Sequence, residues 1–213
     1  GDKHPLCRLQ FIHNPLYSYH HMAFTQQPLS GQHVRLEPLQ AKHLPGLALA
    51  IEDGQLWQLM ATSVPHPDDL ETFYELAQAD VKSGVAEVYA TLNSQQQVIG
   101  STRFMNTDWP HQRTEIGFTF IAKSHQRTAI NTEAKWLMLG HAFEQLKMNR
   151  VAFRTDFLNQ VSRRAIERLG AKPEGVLRNH MVMGDGRVRD TVVYSILKHE
   201  WPGIKTLLEE RLS

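Results

Sequence analysis

A short segment between a strand-like run and a helix-like run carries groups that could bind a phosphate. Residues 125–132 read His-Gln-Arg-Thr-Ala-Ile-Asn-Thr and lead into a stretch with apolar residues at helical spacing. A strand that passes through a tight loop into a helix directs several unpaired backbone N–H groups toward one point, which favours an anion. The charges of Arg127 and Lys123 can reach phosphate oxygens, as can two threonine hydroxyls at the helix start. Ordinary helix capping beside a solvated basic loop is the alternative interpretation.

Elements on both sides of this segment predict an α/β (α+β) domain in which helices flank a central mixed, mostly antiparallel sheet of about seven strands. The runs 85–92 and 97–105, joined by a polar turn at 93–96, indicate a hairpin, and 114–121 is the next strand. Helix 131–146 has the strongest amphipathic pattern. The remaining predictions are strands at 33–39, 150–155, 176–183 and 189–197, helices at 40–53, 67–83, 159–169 and from Trp201, and turns at 172–175 and 184–186.

The composition excludes several classes of protein. A chain of 213 residues fits one domain and can bury a core without disulfides or a structural metal. Its 23 Lys and Arg against 22 Asp and Glu predict neither a nucleic-acid partner nor a membrane-surface partner. Apolar runs such as 136–139 are far shorter than a bilayer span. The single cysteine, Cys7, permits neither a disulfide framework nor a cysteine-based metal site, which favours a reducing cytoplasm.

The first 28 residues differ from the rest of the sequence. They hold several histidines and show no sustained helical or strand period, and the pattern changes at His33. We interpret residues 1–28 as a flexible leader or tag-derived segment and residues 29–213 as a single domain. Weak metal binding by the histidines is the alternative interpretation.

Four stretches carry a resemblance to a known family. They are Glu115-Ile116-Gly117-Phe118 on a strand, Asn131-Thr132-Glu133-Ala134-Lys135 at a helix start, Asn159-Gln160-Val161-Ser162-Arg163-Arg164-Ala165, and Leu169-Gly170-Ala171. With the order of elements, they resemble the GNAT acyl-CoA N-acyltransferases, and among them the branch that includes the RimJ and RimL acetylases of ribosomal-protein N-termini. The resemblance runs from His33 to Leu197. It implies the GNAT fold, acetyl-CoA as co-substrate and no metal.

The resemblance also implies a set of cofactor-binding residues. In the family, a loop of the pattern Gln/Arg-x-x-Gly-x-Gly/Ala holds the pyrophosphate of acetyl-CoA, and residues 126–131 match it with Ala129 and Asn131 at the two small positions. Main-chain groups of Ile116 to Ile121 are implied to pair with the pantetheine amides, although an ordinary central strand is the alternative. The full set is Phe118, Phe120, Ile121, Gln126, Arg127, Thr128, Ala129, Ile130, Asn131, Thr132, Asn159, Ser162 and Arg163.

Two residues near the start of helix 159–169 match family positions beside the CoA thiol. Asn159 corresponds to an Asn and Ser162 to a hydroxyl residue, so the resemblance implies that Ser162 is catalytic and donates a proton to the departing thiolate. A helix N-cap at Asn159 with Ser162 one turn further on explains both residues by structure alone. Arg163 and Arg164 are implied to meet the CoA phosphates, with solvated helix charges as the alternative.

The implied reaction needs a neutral attacking amine, whereas free alkylammonium groups are largely protonated at pH 7. A carboxylate or histidine can remove the proton directly or through water. Glu115, at the head of the central strand, is the first candidate for this catalytic base, and Asp156 and His180 are the next. A surface ion pair of Glu115 with Arg103 or Arg113 is the alternative.

The leading functional hypothesis is direct transfer of an acetyl group from acetyl-CoA to a primary amine, either a protein N-terminus or a small-molecule amine. A non-catalytic GNAT-fold module that binds acyl-CoA or a protein is the alternative, because the phosphate loop contains no glycine. A GNAT enzyme with another acyl donor or an aminoglycoside acceptor is a third. The apolar connector 55–66 is expected to line the acceptor pocket. The partners so expected are acetyl-CoA and an amine, and a homodimer remains open.

Overall fold

One eight-stranded sheet with five flanking α-helices forms the fold in the computed structural model, which describes residues 23–213. The strands are β1 (Leu29–Ser30), β2 (Val34–Pro38), β3 (Glu87–Asn93), β4 (Val98–Asp108), β5 (Arg113–Ile121), β6 (Arg150–Asp156), β7 (Lys172–Val182) and β8 (Val188–Leu197). The helices are α1 (Leu44–Glu52), α2 (Leu70–Lys82), α3 (Ala129–Gly140), α4 (Gln160–Arg168) and α5 (Trp201–Leu212).

The sheet is mixed and mostly antiparallel, as predicted. Its strand order is β1-β2-β3-β4-β5-β6-β8-β7, and the parallel pair among the described strands is β5 with β6. The strand beyond the expected seven is β1, which has two residues. So short a strand leaves no alternating pattern in the sequence, and it forms because it pairs with β2.

Both faces of the sheet are buried at its centre. Val88, Ala90 and Leu92 of β3 pack in the cluster that includes α1 and α2, whereas Tyr89 between them packs in the cluster that includes α3 and α5. Successive side chains of a strand point to opposite faces, so a strand between two helical layers is apolar on both sides. The consequence is that α1 and α2 cover one face and α3 and α5 cover the other.

Two predicted elements differ from the structure. The turn expected at 172–175 is wrong, because β7 begins at Lys172. Pro173 lies within that strand, and the strand tolerates it because β7 is at the edge of the sheet, where a missing N–H breaks no ladder. The helix expected at 131–146 begins two residues earlier, and its last turn, His141–Gln145, is π-helical.

The predicted leader overlaps the described residues at its end. Residues 1–22, which include Cys7, lie outside the described part of the chain. Residues 23–28 have no regular secondary structure, yet Phe24 stacks on Phe104 with ring centroids 5.6 Å apart and meets Trp109 at 5.0 Å. The Gln26 N–H donates to a Glu87 carboxylate oxygen at 2.7 Å. The end of the predicted leader therefore contacts the domain.

A buried carboxylate fixes the start of β2 to α3. Glu133 accepts hydrogen bonds from the backbone N–H groups of Gln32, His33 and Val34, at 2.8, 2.6 and 2.8 Å. A carboxylate that accepts several backbone N–H bonds is strongly held, because charge-assisted hydrogen bonds are stronger than neutral ones. These bonds attach the N-terminal half of α3 to the residues that lead into β2.

Candidate functional site

The parallel strands β5 and β6 pair at one end and separate at the other. Their register is Arg113 with Arg150, Thr114 with Val151 and Glu115 with Ala152, and it stops there. On its far side β6 remains paired with β8 as far as Asp156. Beyond Glu115 the edge of β5 that faces β6 therefore has backbone groups with no strand partner. The result is a wedge-shaped gap that widens toward the starts of α3 and α4.

A bulge lies in β5 beside this gap. The β4–β5 register shifts between Ser101 and Arg103, and Phe118 has a φ of 47°. A bulky residue in the left-handed region costs on the order of 1 kcal/mol or more, so other contacts must hold it. The Arg103 guanidinium lies 4.5 Å from the Phe118 ring centroid, a cation–π arrangement. Bulges redirect backbone groups and are common next to active sites.

The loop at the open end of the gap makes its turn without glycine. A 3-10 turn at Lys123–His125 is followed by Arg127 with a φ of 61°, the left-handed conformation that glycine adopts most easily. Gln126 Nε2 donates to the Ile121 carbonyl at 2.8 Å. The Thr128 hydroxyl donates to the His125 carbonyl at 2.8 Å and accepts from the N–H of residue 130 at 3.4 Å. The hydrogen bonds of Gln126 and Thr128 thus fix the conformation of the loop.

The first turn of α3 follows Thr128 and contains no acidic residue. The first N–H groups of a helix have no partner within it, so this helix end is suited to an anion. Ile130 is buried and anchors the turn, while Ala129 and Thr132 are half-buried. The Asn131 Oδ1 atom is buried and has no hydrogen-bond partner among residues 23–213. A cleft of about 280 Å³ also opens at this helix end, on the side of the β3–β4 turn rather than the β5–β6 gap.

Glu115 lies at the closed end of the gap, in the last register pair between β5 and β6. Its side chain is 8 % exposed, and Oε2 is 3.2 Å from Arg154 Nε and 3.2 Å from Asn106 Nδ2. The alternative ion pair of Glu115 with Arg103 or Arg113 does not form, because Arg113 pairs with Asp108 and Arg103 pairs with Asp80. Burial lowers the pKa of the Arg103 guanidinium, and the charge of Asp80 partly opposes this.

The start of α4 lies at the other side of the open end. Asn159 Oδ1 accepts from the Ser162 N–H at 3.0 Å, and Asn159 Nδ2 donates to the Ala61 carbonyl at 3.2 Å. Arg163 Nε donates to the Tyr194 hydroxyl at 3.2 Å. Asn159 and Arg163 therefore hold structural positions. The half-buried Ser162 hydroxyl forms no hydrogen bond within the described part of the chain, so it is free for a ligand.

The other two candidate bases lie further along the sheet. Asp156 is buried at the end of β6, where Oδ2 accepts from Arg187 Nη2 at 2.6 Å. His180 is on β7, three strands from Glu115, and its Nδ1 is 3.1 Å from the Thr191 hydroxyl. The structure thus places Asp156 in the strand next to Glu115 and does not bring His180 to it.

Sequence reasoning missed two arginines, Arg187 just before β8 and Arg189 near its start. Arg187 also donates to the Met60 carbonyl at 3.3 Å, which attaches the connector 55–66 to this side of the site. Burial lowers the pKa of the Arg189 guanidinium, the charges of Asp156 and Glu115 raise it, and those of neighbouring arginines lower it. The sequence signal for both arginines is only that they follow the turn at 184–186, a position typical of exposed hairpin charges.

A buried lysine was also missed. Lys135 of α3 donates from Nζ to the hydroxyls of Thr102 on β4 and Thr119 on β5, at 3.0 and 2.7 Å. Its side chain forms no ion pair with a described residue, and burial lowers its pKa to about 7. Lys135 thus joins α3 to the β5 bulge at Thr119.

The pH dependence of stability tests this burial. The folded lysine loses its proton near pH 7, whereas an unfolded lysine keeps it until about pH 10.4, so the unfolded state binds more protons in between and stability rises with pH. We expect Lys135 alone to raise the free energy of unfolding by about 2 kcal/mol from pH 7 to pH 9. Urea denaturation at both pH values, for the wild type, Lys135→Met and the exposed control Lys82→Met, measures this rise in the free energy of unfolding. The rise should vanish only in Lys135→Met; identical slopes in all three contradict the prediction.

Residues 23–213 contain neither a clustered set of metal ligands nor a helix that could span a membrane. No group of three or more His, Cys, Asp or Glu residues in this part of the chain is arranged to hold a metal ion. None of its helices combines the length and the apolarity that crossing a bilayer requires.

Comparison with known proteins identifies the class. A family model of the acetyltransferase (GNAT) domain matches residues 33–172, so the chain belongs to the GNAT acetyltransferase family, as predicted. It is 31% identical to the Bacillus subtilis protein named "Putative ribosomal N-acetyltransferase YdaF" over 179 residues, 82% of this chain and 97% of YdaF. It is 38% identical to a solved structure of a "putative acetyltransferase" from T. thermophilus, with a TM-score of 0.77 over 88% of this chain and 97% of that one. Mycobacterium smegmatis RimJ, solved with CoA-disulfide, shares the fold at 18% identity, with a TM-score of 0.74 over 87% of this chain and 93% of RimJ.

Proposed function

We propose that this chain is an N-acetyltransferase that moves an acetyl group from acetyl-CoA directly to a primary amine, such as the amino terminus of a protein. The observation that carries the proposal is the β5–β6 gap, which has Glu115 at its closed end and the N-terminus of α3 at its open end. The ribosomal N-acetyltransferase name of YdaF and the complex of RimJ with CoA-disulfide support it.

The donor would occupy the gap. The unpaired edge of β5 from Gly117 to Ile121 offers N–H and carbonyl groups to the pantetheine amides, as a neighbouring strand would. The first turn of α3 offers its free N–H groups to the pyrophosphate, with the charge of Arg127 beside it. Thr128 and Gln126 hold this loop, and the contacts of Asn159 and Arg163 give these two residues positioning roles.

The chemistry follows from the two ends of the gap. The amine nitrogen attacks the thioester carbonyl, a C–N bond forms and then the C–S bond breaks. Glu115 takes the proton of the amine, directly or through one water, and Ser162 donates a proton to the departing thiolate and recovers one from solvent. Backbone N–H groups at the β5 bulge would stabilise the oxyanion of the tetrahedral intermediate.

Two measurements test the proposal. Isothermal titration with acetyl-CoA should give micromolar binding, and a thiol-release assay over a panel of peptides and small amines should give turnover. Ser162→Ala should slow single-turnover transfer by about 10-fold or more without a matching loss of binding. The absence of acetyl-CoA binding, or equal transfer rates in the variant and the wild type, contradicts the assignment of these roles.

A second candidate function is an acyl-CoA-binding module without catalysis. The loop motivates it, because Arg127 holds a left-handed conformation in a segment that lacks glycine. Binding of acetyl-CoA with no thiol release over the whole panel favours the module, whereas any amine-dependent release favours the enzyme.

A further inference from the structure

Three arginines and two carboxylates share one side of the candidate site. Arg154 pairs with Glu115 at 3.2 Å, and Arg187 pairs with Asp156 at 2.6 Å. Arg189 is the third arginine, and its guanidinium is within the electrostatic reach of all four. Each carboxylate therefore has its own arginine, and the cluster keeps one positive charge in excess.

Arg189 has no partner for that charge. The half-buried side chain forms neither an ion pair nor a hydrogen bond with any residue from 23 to 213, and its Nε is buried without a partner. Arg187 Nε is buried and unpartnered as well. A buried donor without an acceptor is costly, and a guanidinium suits a carboxylate because it donates in a planar fork. Because Arg189 is half-buried and the described residues leave its guanidinium without an acceptor, this side chain is suited to an anionic ligand.

The strand register puts Arg189 on the face of Glu115. Glu115 pairs with Ala152, and side chains two residues apart on β6 share a face, so Arg154 and Asp156 lie on that face too. Asp156 pairs with Thr191 of β8, and Arg189 is two residues before Thr191. Glu115 and Arg189 therefore lie on the same face of the sheet, where their charges interact.

The connector between α1 and α2 borders the same face. Arg187 Nη2 donates to the Met60 carbonyl at 3.3 Å, and Asn159 Nδ2 donates to the Ala61 carbonyl at 3.2 Å. These two bonds attach residues 60 and 61 to the β8 and α4 ends of the site. The connector consequently lies against the residues that precede β8 and against the start of α4.

We propose that Arg189 is a specificity-determining residue that binds a carboxylate of the acceptor, so that the preferred acceptor is an amine with a carboxylate close to the amino group. An acidic peptide N-terminus and a free acidic amino acid both have this chemistry. The proposal rests on the function proposed above, because it assigns the acceptor of the same site. One unpaired guanidinium balances one negative charge, which a carboxylate carries at pH 7.

Steady-state kinetics of acetyl transfer test the role of Arg189 in acceptor specificity. Three short peptides begin with Ser and continue with Asp and Glu, with Asn and Gln, or with Lys residues, and free Asp and Glu are compared with their diamides, which carry no carboxylate. We expect the wild type to have a kcat/KM for the acidic peptide at least ~10-fold above that for the neutral one. Arg189→Gln should reduce this ratio to about one while turnover of the neutral peptide persists, and Arg189→Lys should restore part of it. The exposed control Arg168→Gln should leave the ratio unchanged.

The outcomes separate the two proposals. A wild type that uses neutral or basic peptides as well as acidic ones overturns the role of Arg189 and leaves the acetyltransferase function intact. No thiol release from any peptide or amino acid overturns both. Preference for free Asp and Glu over the acidic peptide identifies an amino acid rather than a protein as the acceptor. Should Arg189→Gln fail to fold, the wild-type ratio and the Arg189→Lys ratio still decide.

Discussion

Glu115→Gln lowers kcat for acetyl transfer by about 10²–10³-fold and changes the Kd for acetyl-CoA less than about threefold. The reason is that an amide cannot accept the proton that the attacking ammonium must lose. The amide keeps the shape of the side chain and can still accept from Asn106 Nδ2, which is 3.2 Å away in the wild type. Arg154 loses its counter-charge but has a side chain that is 40% exposed, so solvent can replace the carboxylate.

The pH profile separates proton removal from charge stabilisation. Without a base, the variant depends on amine that is already neutral in solution, so its rate should rise about tenfold per pH unit below the pKa of the amine. Rapid-quench single turnovers at pH 6 to 9 measure this pH dependence. Asp108→Asn is the control, because this substitution also converts an arginine-paired carboxylate to an amide, but at an exposed ion pair. A Glu115→Gln variant with the wild-type rate at every pH contradicts the assignment of the base.

Much of the fold could be predicted because local patterns decide it. The strands β3, β4 and β5 fall within two or three residues of their predicted bounds, since each alternates or runs apolar between turn signals. α3 was predicted from its apolar stripe. The start of β7 at Lys172 could not be, because Lys172-Pro173-Glu174-Gly175 is typical of a turn and becomes a strand only through pairing with β8. Tertiary pairing overrides local preference there.

The candidate site was less predictable than the fold. Glu115 and the loop before α3 could be nominated because each lies at the end of a recognisable element. The partner of Glu115 could not, because Arg154 reaches it through a parallel pairing of three register positions that no local pattern encodes. Lys135 lies in a helix whose sequence gives no sign that its ammonium meets Thr102 and Thr119. Side-chain partners across strands depend on register, which only the folded sheet defines.

Ala129→Glu should move stability and cofactor affinity in opposite directions. Residue 129 is the first of α3, and the first turn contains no acidic side chain. A glutamate there interacts favourably with the helix dipole and should raise the free energy of unfolding by about 0.5 kcal/mol. The same charge within about 5 Å of a bound pyrophosphate repels it by roughly 3 kcal/mol at an effective dielectric constant of 20, which corresponds to an affinity loss of about 100-fold.

Titration calorimetry with CoA and thermal unfolding of the same samples measure both effects. Ala129→Gln is the matched control, since it adds the same bulk without charge and should weaken CoA binding only about threefold. Acetyl-pantetheine lacks the pyrophosphate, so its transfer rate should fall no further in Ala129→Glu than in Ala129→Gln. Equal CoA affinities in the two variants contradict a phosphate site at this helix end. A loss confined to CoA and to the charged variant instead assigns the unpaired N–H groups of α3 to the pyrophosphate, because only a nearby phosphate would sense the sign of the added charge.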